Sequence, residues 1–197
     1  GNRKIIQHPQ GGVVSRINVA EGQRVRAGDV LLEINPLNSQ ANLEAAQLQV
    51  INLLASESRL RSERVDAPRI RWAEEFKLFG QDARVAEAKS VQSKLFEARA
   101  DEYTTTLRTK RKQLALLKTD ATNAAKLAAE GLLPRIEANN LAREALRSEA
   151  ELSQLVNTRR SKIDAELSDI LAQKEAVQAK VASLSFEREQ FDVRAPV

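Results

Sequence analysis

The chain of 197 residues has no cysteine and few aromatic side chains. Without cysteine it forms neither a disulfide nor a zinc-thiolate site, and it offers no thiol nucleophile. Aromatic residues make up 4% of the chain and charged residues 29%. Such a composition covers long helices but cannot fill a wide core. It therefore predicts an elongated, mainly α protein.

Long apolar runs are also missing. No stretch approaches the roughly 18 apolar residues that a membrane span needs, and no signal peptide is recognisable. We therefore expect any membrane anchor to lie outside this sequence. The formal net charge is +4, but Lys and Arg are mixed with acids along most of the chain. This mixing argues against a phosphate-binding stripe, and no nucleic-acid partner is expected.

Candidate catalytic residues are scarce. His8 is the only histidine, and one histidine without cysteine makes a poor metal site. Ser15 and Ser39 have no nearby base, and the Glu74-Glu75 pair fits a solvated helix face. Gly11-Gly12 precedes a strand and lacks the rest of a phosphate-binding loop. We predict no catalytic, cofactor-binding or metal-binding residue, and hence no enzyme.

Glycine and proline are absent from residues 81–130 and again from residues 135–195. These residues break helices, so their absence predicts an outgoing helix over 82–131 and a returning helix over 135–185. Gly131 suits the position after a helix C-terminus, and Pro134 suits the start of the next helix. So short a connection predicts an antiparallel hairpin. At 1.5 Å per residue, each arm would span roughly 75 Å.

Apolar residues recur in both arms with the spacing of a coiled coil. The outgoing arm has one seven-residue series with a charged member and a second series four residues later: Phe96, Tyr103, Lys110, Leu117, Ala124 and Ala100, Leu107, Leu114, Ala121, Ala128. The returning arm repeats the pattern at Val156, Ile163, Ile170, Val177 and Leu184, joined by Leu167 and Val181 four residues after their neighbours in the series. We expect these two stripes to face each other.

The remaining residues predict β structure at both ends and shorter helices near the start. Residues 1–36 contain β-branched and alternating apolar residues, with turn signals at residues 21–22 and 27–29. In residues 186–197, Phe191, Val193 and Ala195 alternate with charged residues. A first helix is expected over 37–65, with Ser39 or Asn38 as its N-cap. A short helix is expected over 69–80, where Trp72, Phe76 and Phe79 fit a core better than a ligand pocket. One β domain split by residues 37–185 accounts for this order.

Two stretches of the chain resemble a bacterial family. Residues 11–17 with 19–31 resemble the first lipoyl-like half-motif of the membrane fusion proteins, and residues 193–197 are similar to the start of their second half-motif. The order of half-motif, hairpin and half-motif is closest to the HlyD-type adaptors of type I secretion systems. This resemblance implies a long antiparallel α-helical hairpin inserted into a split lipoyl-like β domain, the barrel-sandwich hybrid.

The resemblance also implies a function. Such adaptors lie in the periplasm and are anchored in the inner membrane beside an ABC transporter. They assemble as a ring, which is expected to be a hexamer. Their hairpin tips meet a TolC-like outer-membrane channel, so that a protein crosses both membranes in one step. The residues expected to bind that channel are those at the tip: Leu127, Leu132, Leu133, Pro134 and Arg135.

The tip leaves some alternatives open. Leu132 and Leu133 could dock on a partner or fold back to cover the last heptad layer. Drug-efflux adaptors carry Arg, Leu and Ser where this tip has Asn123, Leu127 and Pro134, which argues against that branch. Three other readings remain: a drug-efflux adaptor, a coiled-coil tethering protein, and a lipoyl or biotinyl carrier. For the carrier, the position after residues 33–36 offers no lysine that could be modified.

Overall fold

The computed structural model describes residues 14–17, 30–34, 36–190 and 192–194. Their elements follow in the order β1 (Val14–Ile17), β2 (Val30–Ile34), α1 (Pro36–Arg64), a 3-10 helix (Glu74–Phe79), α2 (Ala83–Ala129), α3 (Arg135–Glu189) and β3 (Asp192–Arg194). Long helices dominate, as the composition predicts. His8 and the turn signals around residues 21–22 and 27–29 lie outside the described residues.

The three strands form one antiparallel sheet with β2 in the middle. Leu32 of β2 pairs with Ile17 of β1 on one side and with Val193 of β3 on the other. The register shifts once within each pair of strands, as at a β-bulge. The first and last strands of the chain therefore belong to the same sheet, and the three long helices lie between them in sequence.

Helix α1 begins earlier than the sequence suggests. It starts at Pro36, whose fixed φ suits a first helical turn. Ser39 consequently lies inside the helix, where its side chain is buried, and the prediction of an N-cap at residue 38 or 39 is wrong. The buried apolar face of α1 consists of Leu43, Ala46, Val50, Ile51, Leu54, Ala55 and Leu60.

The end of α1 is a Schellman motif without glycine. Asp66 has a φ of 52°, and the Ala67 N–H donates to the Ser62 carbonyl at 2.9 Å. The Asp66 N–H donates to the Glu63 carbonyl at 3.1 Å. These two bonds satisfy the last carbonyls of the helix.

Serine hydroxyls hold the segment that follows α1. The Ser62 hydroxyl accepts the Arg71 N–H at 2.9 Å, and the Ser58 hydroxyl accepts the Ala73 N–H at 3.1 Å. Because later residues bind earlier turns, the chain runs back along α1. Only Glu74–Phe79 then coils, as a 3-10 helix, which is shorter than the helix expected over 69–80.

The aromatic side chains of this region are at least partly covered. Phe76 is 6% exposed, while Trp72 and Phe79 are half-buried. The Lys89 ammonium lies 5.4 Å from the centroid of the Trp72 ring, within the range of a cation–π contact. The preference for a core over a ligand pocket fits this burial.

The chain divides into two compact units, residues 1–55, 74–88 and 170–197 in the first and residues 56–73 and 89–169 in the second. In the second unit α2 and α3 run antiparallel, because residue numbers rise along one helix as they fall along the other. Three cross-helix ion pairs show this order: Arg99 with Glu166 at 3.0 Å, Lys110 with Glu151 at 3.7 Å and Lys118 with Glu149 at 3.5 Å.

The predicted heptad residues of this unit lie between the two helices. Phe96, Leu114, Ala124, Ile163 and Leu167 are each less than 9% exposed, and the other predicted positions on α2 are half-buried. The one charged heptad position, Lys110, is accommodated because its ammonium reaches out to Glu151 while its stem stays in the stripe. The second unit is therefore a coiled-coil hairpin.

Candidate partner-binding tip

Helix α2 ends in a second Schellman motif. Gly131 has a φ of 74°, a conformation that costs glycine little and other residues about 1 kcal/mol or more. The Leu132 N–H donates to the Leu127 carbonyl at 2.9 Å, and the Gly131 N–H donates to the Ala128 carbonyl at 3.1 Å. The chain reverses here as the sequence predicts.

Helix α3 begins immediately afterwards. The Pro134 carbonyl accepts the N–H groups of Glu137 at 3.1 Å and Ala138 at 3.3 Å. Pro134 is therefore the last residue of the connection between α2 and α3, and its carbonyl accepts the first hydrogen bonds of α3. These two helix ends fix the backbone of the tip from both sides, which makes it a firm platform for side chains.

Several apolar side chains of this tip face solvent. Leu132 is 70% exposed and Leu127 is 42% exposed, although residues at these two Schellman positions usually cover each other. Leu133 is half-buried, while Pro134 and Arg135 are exposed. Four of the five predicted tip residues are therefore accessible. The exposure of Leu132 favours docking over capping.

The sequence analysis missed Ile136, which is 68% exposed at the start of α3. It lies one residue after Arg135 and off the heptad stripe of the returning helix. An apolar residue off the stripe of a coiled coil faces away from the partner helix. This signal was available in the sequence. We define the apolar tip as Leu127, Leu132 and Ile136.

A buried chain of charges joins the three helices in the second unit. Arg59 and Glu63 of α1 are 7% and 4% exposed and form a salt bridge. Arg59 also donates to the Gln92 amide oxygen at 2.7 Å. Arg99 of α2 reaches Glu63 at 3.1 Å and Glu166 of α3 at 3.0 Å. The sequence analysis named none of these residues and missed this network.

A small cavity of about 210 Å³ lies beside this network, lined in part by Asp66, Phe96, Tyr103 and Arg159. The Arg159 guanidinium pairs with the Asp66 carboxylate at 2.9 Å and lies 4.3 Å from the centroid of the Tyr103 ring. Both charged groups are therefore already paired within the chain. The cavity has the character of a packing gap beside a three-helix junction.

The start of α2, in the first unit, carries an acidic side chain that is bound by two groups of one arginine. Asp82 caps the helix by accepting the Arg84 N–H at 2.9 Å. The Arg84 guanidinium binds the same carboxylate, with its closest approach at 2.8 Å, and donates to the Glu44 carbonyl at 3.0 Å. These bonds from Arg84 lower the pKa of Asp82, and they raise that of Arg84. The geometry anchors α2 to α1.

The described residues contain no group of three or more histidines, aspartates or glutamates that could hold a metal ion. Among the same residues, no helix combines the length and the apolar character that a membrane crossing requires. Among the described residues, the apolar tip is the feature that stands out as a candidate site.

Comparison with known proteins gives this architecture a context. No protein-family model matches the chain. It is 49% identical over 63 residues to the proteases secretion protein PrtE of Dickeya chrysanthemi, which is 32% of this chain and 14% of PrtE. Over its whole length it is 26% identical to the type I secretion system membrane fusion protein PrsE of Rhizobium meliloti, covering 54% of PrsE.

The fold is similar to that of a solved relative. The soluble domain of LipC, a membrane fusion protein of a type I secretion system, matches all of this chain with a TM-score of 0.61 at 24% identity, over 90% of its own chain. This chain is similar over its whole length to a type I secretion system membrane fusion protein. The chain spans about half the length of PrsE and matches a smaller part of PrtE. These similar proteins are named for secretion and membrane fusion.

Proposed function

We propose that this chain is part of a periplasmic adaptor that links an inner-membrane ABC transporter to a TolC-like outer-membrane channel in type I protein export. The named relatives support this role, because they are secretion proteins. The adaptor would lie in the periplasm, anchored in the inner membrane by a segment outside this sequence. Copies would assemble side by side as a ring, for which a hexamer is our expectation.

The observation that carries the proposal is the apolar tip on a hairpin whose backbone is fixed at both helix ends. Leu132 and Ile136 are 70% and 68% exposed, and exposed apolar groups at the end of a rigid element mark a docking site. In the proposal, Leu127, Leu132, Leu133, Pro134 and Arg135 contact the channel, together with Ile136. Apolar anchors would provide most of the binding energy, as at other interfaces.

The sheet has a separate place in the proposal. Residues 1–36 and 186–197 would be the two halves of a lipoyl-like, barrel-sandwich hybrid domain, with residues 37–185 inserted between them. The pairing of β3 with β2 supports this division, since the two halves must share a sheet. A coiled-coil tether gives no reason for that pairing, and a drug-efflux adaptor would not be expected to have protease-secretion relatives.

A chimaera tests the proposed function. PrsE aligns with the whole of this chain, so this chain can replace the aligned region of PrsE in cells that depend on PrsE for export. We expect the chimaera to restore secretion of the PrsE substrate, measured in the culture medium. The Leu132→Asp chimaera should lose at least about 90% of secretion, because a charge in an apolar contact opposes docking.

The matched control is Leu116→Asp. Leu116 is 68% exposed on α2, close to the exposure of Leu132, but it lies more than three helical turns before the tip. Secretion should persist with this variant, and circular dichroism should show both variants as helical as the parent. Full secretion with Leu132→Asp would contradict tip docking, and a chimaera that never supports export would contradict the adaptor role.

A further inference from the structure

Positive and negative side chains are distributed unevenly over the second unit, although both signs are mixed along the chain as a whole. Between Tyr103 and Thr119, α2 has five basic residues and no acid: Arg108, Lys110, Arg111, Lys112 and Lys118. Residues 135–151 of α3, which face this part of α2, contain four acids and three basic residues, and three of the acids recur at a constant spacing of seven residues: Glu137, Glu144 and Glu151. All three glutamates are exposed. A seven-residue spacing keeps side chains on one side of a helix.

Two ion pairs show that these series lie on opposite faces of the hairpin. Glu149 reaches Lys118 at 3.5 Å and Glu151 reaches Lys110 at 3.7 Å. These two glutamates are two residues apart, about 200° around α3. Because both still touch α2, they flank the line of contact between the helices from its two sides.

Each series can then be assigned to a side. Arg111 precedes Lys118 by seven residues and shares its side, with Arg108 and Lys126 within about 80° of Lys118. Glu144 and Glu137 continue from Glu151 on the other side. We call Arg108, Arg111, Lys118 and Lys126 the basic face. We call Glu137, Glu144 and Glu151 the acidic face.

The groups on these faces are available to a partner. In the part of the chain that the structure describes, Arg108, Arg111, Lys126, Glu137 and Glu144 form no ion pair. The cross-helix pairs of Lys118 and Glu151 are long, at 3.5 Å and 3.7 Å, and both side chains are more than half exposed. Such exposed pairs are weak and exchange readily.

The spacing of the two faces also matches. From Arg111 to Lys118 to Lys126 the steps are seven and eight residues, and from Glu151 to Glu144 to Glu137 they are seven and seven. Both series advance toward the tip by about 11 Å per step. The observed ion pairs place Glu151 within a turn or two of Arg111 along the hairpin.

We propose that the partner of the basic face is the acidic face of a second copy of this chain, with Arg111 opposite Glu151, Lys118 opposite Glu144 and Lys126 opposite Glu137. Two different faces meet in this contact, so one copy of a pair keeps its acidic face free and the other keeps its basic face free. Association of this kind continues from copy to copy until a ring closes. The contact gives a physical basis for the ring.

The direction of the second copy rests on the proposed function. The two charge series would also match if the copies ran in opposite directions, with Arg111 opposite Glu137. Adaptors anchored in one membrane must point the same way, and this selects the pairing of Arg111 with Glu151. The contact consists largely of exposed charges, so it should be weak in dilute solution and weaken further as salt is raised.

Single cysteines test the contact, because the chain has none of its own. The Arg111→Cys chain carries a tag that makes it larger, so that a heterodimer can be distinguished from either homodimer by size. It is mixed with the Glu151→Cys chain at low salt, and the mixture is oxidised mildly. We expect a disulfide-linked heterodimer from this mixture, well above the homodimers that each variant forms alone. A mixture of Glu144→Cys and Glu151→Cys, both on the acidic face, is the matched control and should give only background.

Each outcome has a defined meaning. Equal crosslinking in the control mixture, or none in the test mixture, would overturn the proposed contact. A stronger crosslink from Arg111→Cys with Glu137→Cys would overturn the same-direction arrangement. If the PrsE chimaera supports export but this crosslink does not form, the adaptor role stands and the proposed contact is wrong. If the crosslink forms but the chimaera does not support export, the contact stands and the adaptor role is wrong.

Charge reversal provides an independent measurement in the full chain. Arg111→Glu should weaken self-association by about tenfold in sedimentation at low salt, because it sets like charges against each other. Lys94→Glu makes the same change of charge on α2 at an exposed position, two heptads before Arg108 and therefore outside both faces, and should change association by less than about twofold. Equal effects of the two variants would show that net charge, and not this contact, governs association.

Discussion

At the scale of single residues, Asp66 occupies a position that usually belongs to glycine. Its φ of 52° lies in the left-handed region, where a side chain costs about 1 kcal/mol or more. Its carboxylate offsets part of this cost by pairing with Arg159 at 2.9 Å. Aspartate also tolerates this conformation better than most residues do. Asp66 therefore has a strained backbone, and its side chain stabilises the contact between the end of α1 and α3.

This exchange can be measured with two substitutions. Asp66→Ala keeps the strain and removes the ion pair, so it should lower the free energy of unfolding by about 1 kcal/mol. Asp66→Gly removes both strain and pair, and its stability should stay within about 0.5 kcal/mol of the parent. Urea unfolding followed by circular dichroism compares them. An equal loss in both variants would show that the ion pair, and not the backbone, governs this site.

At the scale of elements, the sequence predicts those boundaries that single residues encode. Gly131 and Pro134 punctuate the hairpin, and the structure places the end of α2 and the start of α3 beside them. The segment after α1 follows different rules, because its path depends on hydrogen bonds from Arg71 and Ala73 to two buried serines. Such bonds join residues whose spacing has no recognisable pattern. A helix was therefore expected over residues 70–73, which have no regular secondary structure.

The N-terminus of α2 should respond to acid. The Arg84 side chain and N–H lower the pKa of Asp82, so the folded chain releases this proton more readily than the unfolded chain. The contribution of Asp82 to stability is then complete above its unfolded pKa, about 3.9, and disappears as pH falls through the lower folded value. We expect Asp82→Asn to be less stable than the parent at neutral pH. The gap should close at low pH.

Urea unfolding of both chains at a series of pH values from 7 to 2.5 measures this gap. Amide exchange at Arg84 and Val85 reports the local effect, since Arg84 donates to the Asp82 carboxylate and Val85 to the Asp82 carbonyl. Exchange should accelerate at both amides in the variant. A gap that stays constant down to pH 2.5 would mean that the ionised carboxylate does not stabilise the helix end.

At the scale of the whole molecule, the sequence predicts which helices pair but not what fixes a third helix against them. The heptad stripes of α2 and α3 repeat regularly and are readable, because burial between two helices imposes a period. The contact of α1 depends on Arg59, Glu63, Arg99 and Glu166, which resemble ordinary surface charges in sequence. Only the structure shows that Arg59 and Glu63 are less than 8% exposed.

This buried network should be the most sensitive point of the second unit. Glu63 accepts from Arg59 and from Arg99, so Glu63→Ala leaves two guanidinium groups without their shared carboxylate. Removing one partner of a buried ion pair costs about 3 kcal/mol or more. Glu149→Ala removes the partner of the exposed Lys118 and should cost less than about 1 kcal/mol. Urea unfolding of both variants gives the comparison.

A double substitution separates the two causes of such a loss. If an unpaired buried charge is responsible, Arg59→Met in the Glu63→Leu background should recover much of the stability, because apolar side chains of similar volume can replace a buried ion pair. If packing of α1 is responsible, the double variant should be no more stable than Glu63→Leu alone. A loss in Glu63→Ala no greater than that in Glu149→Ala would show instead that water screens this network. The three-helix junction would then depend on the apolar residues Leu60 and Phe96, which are 0% and 8% exposed.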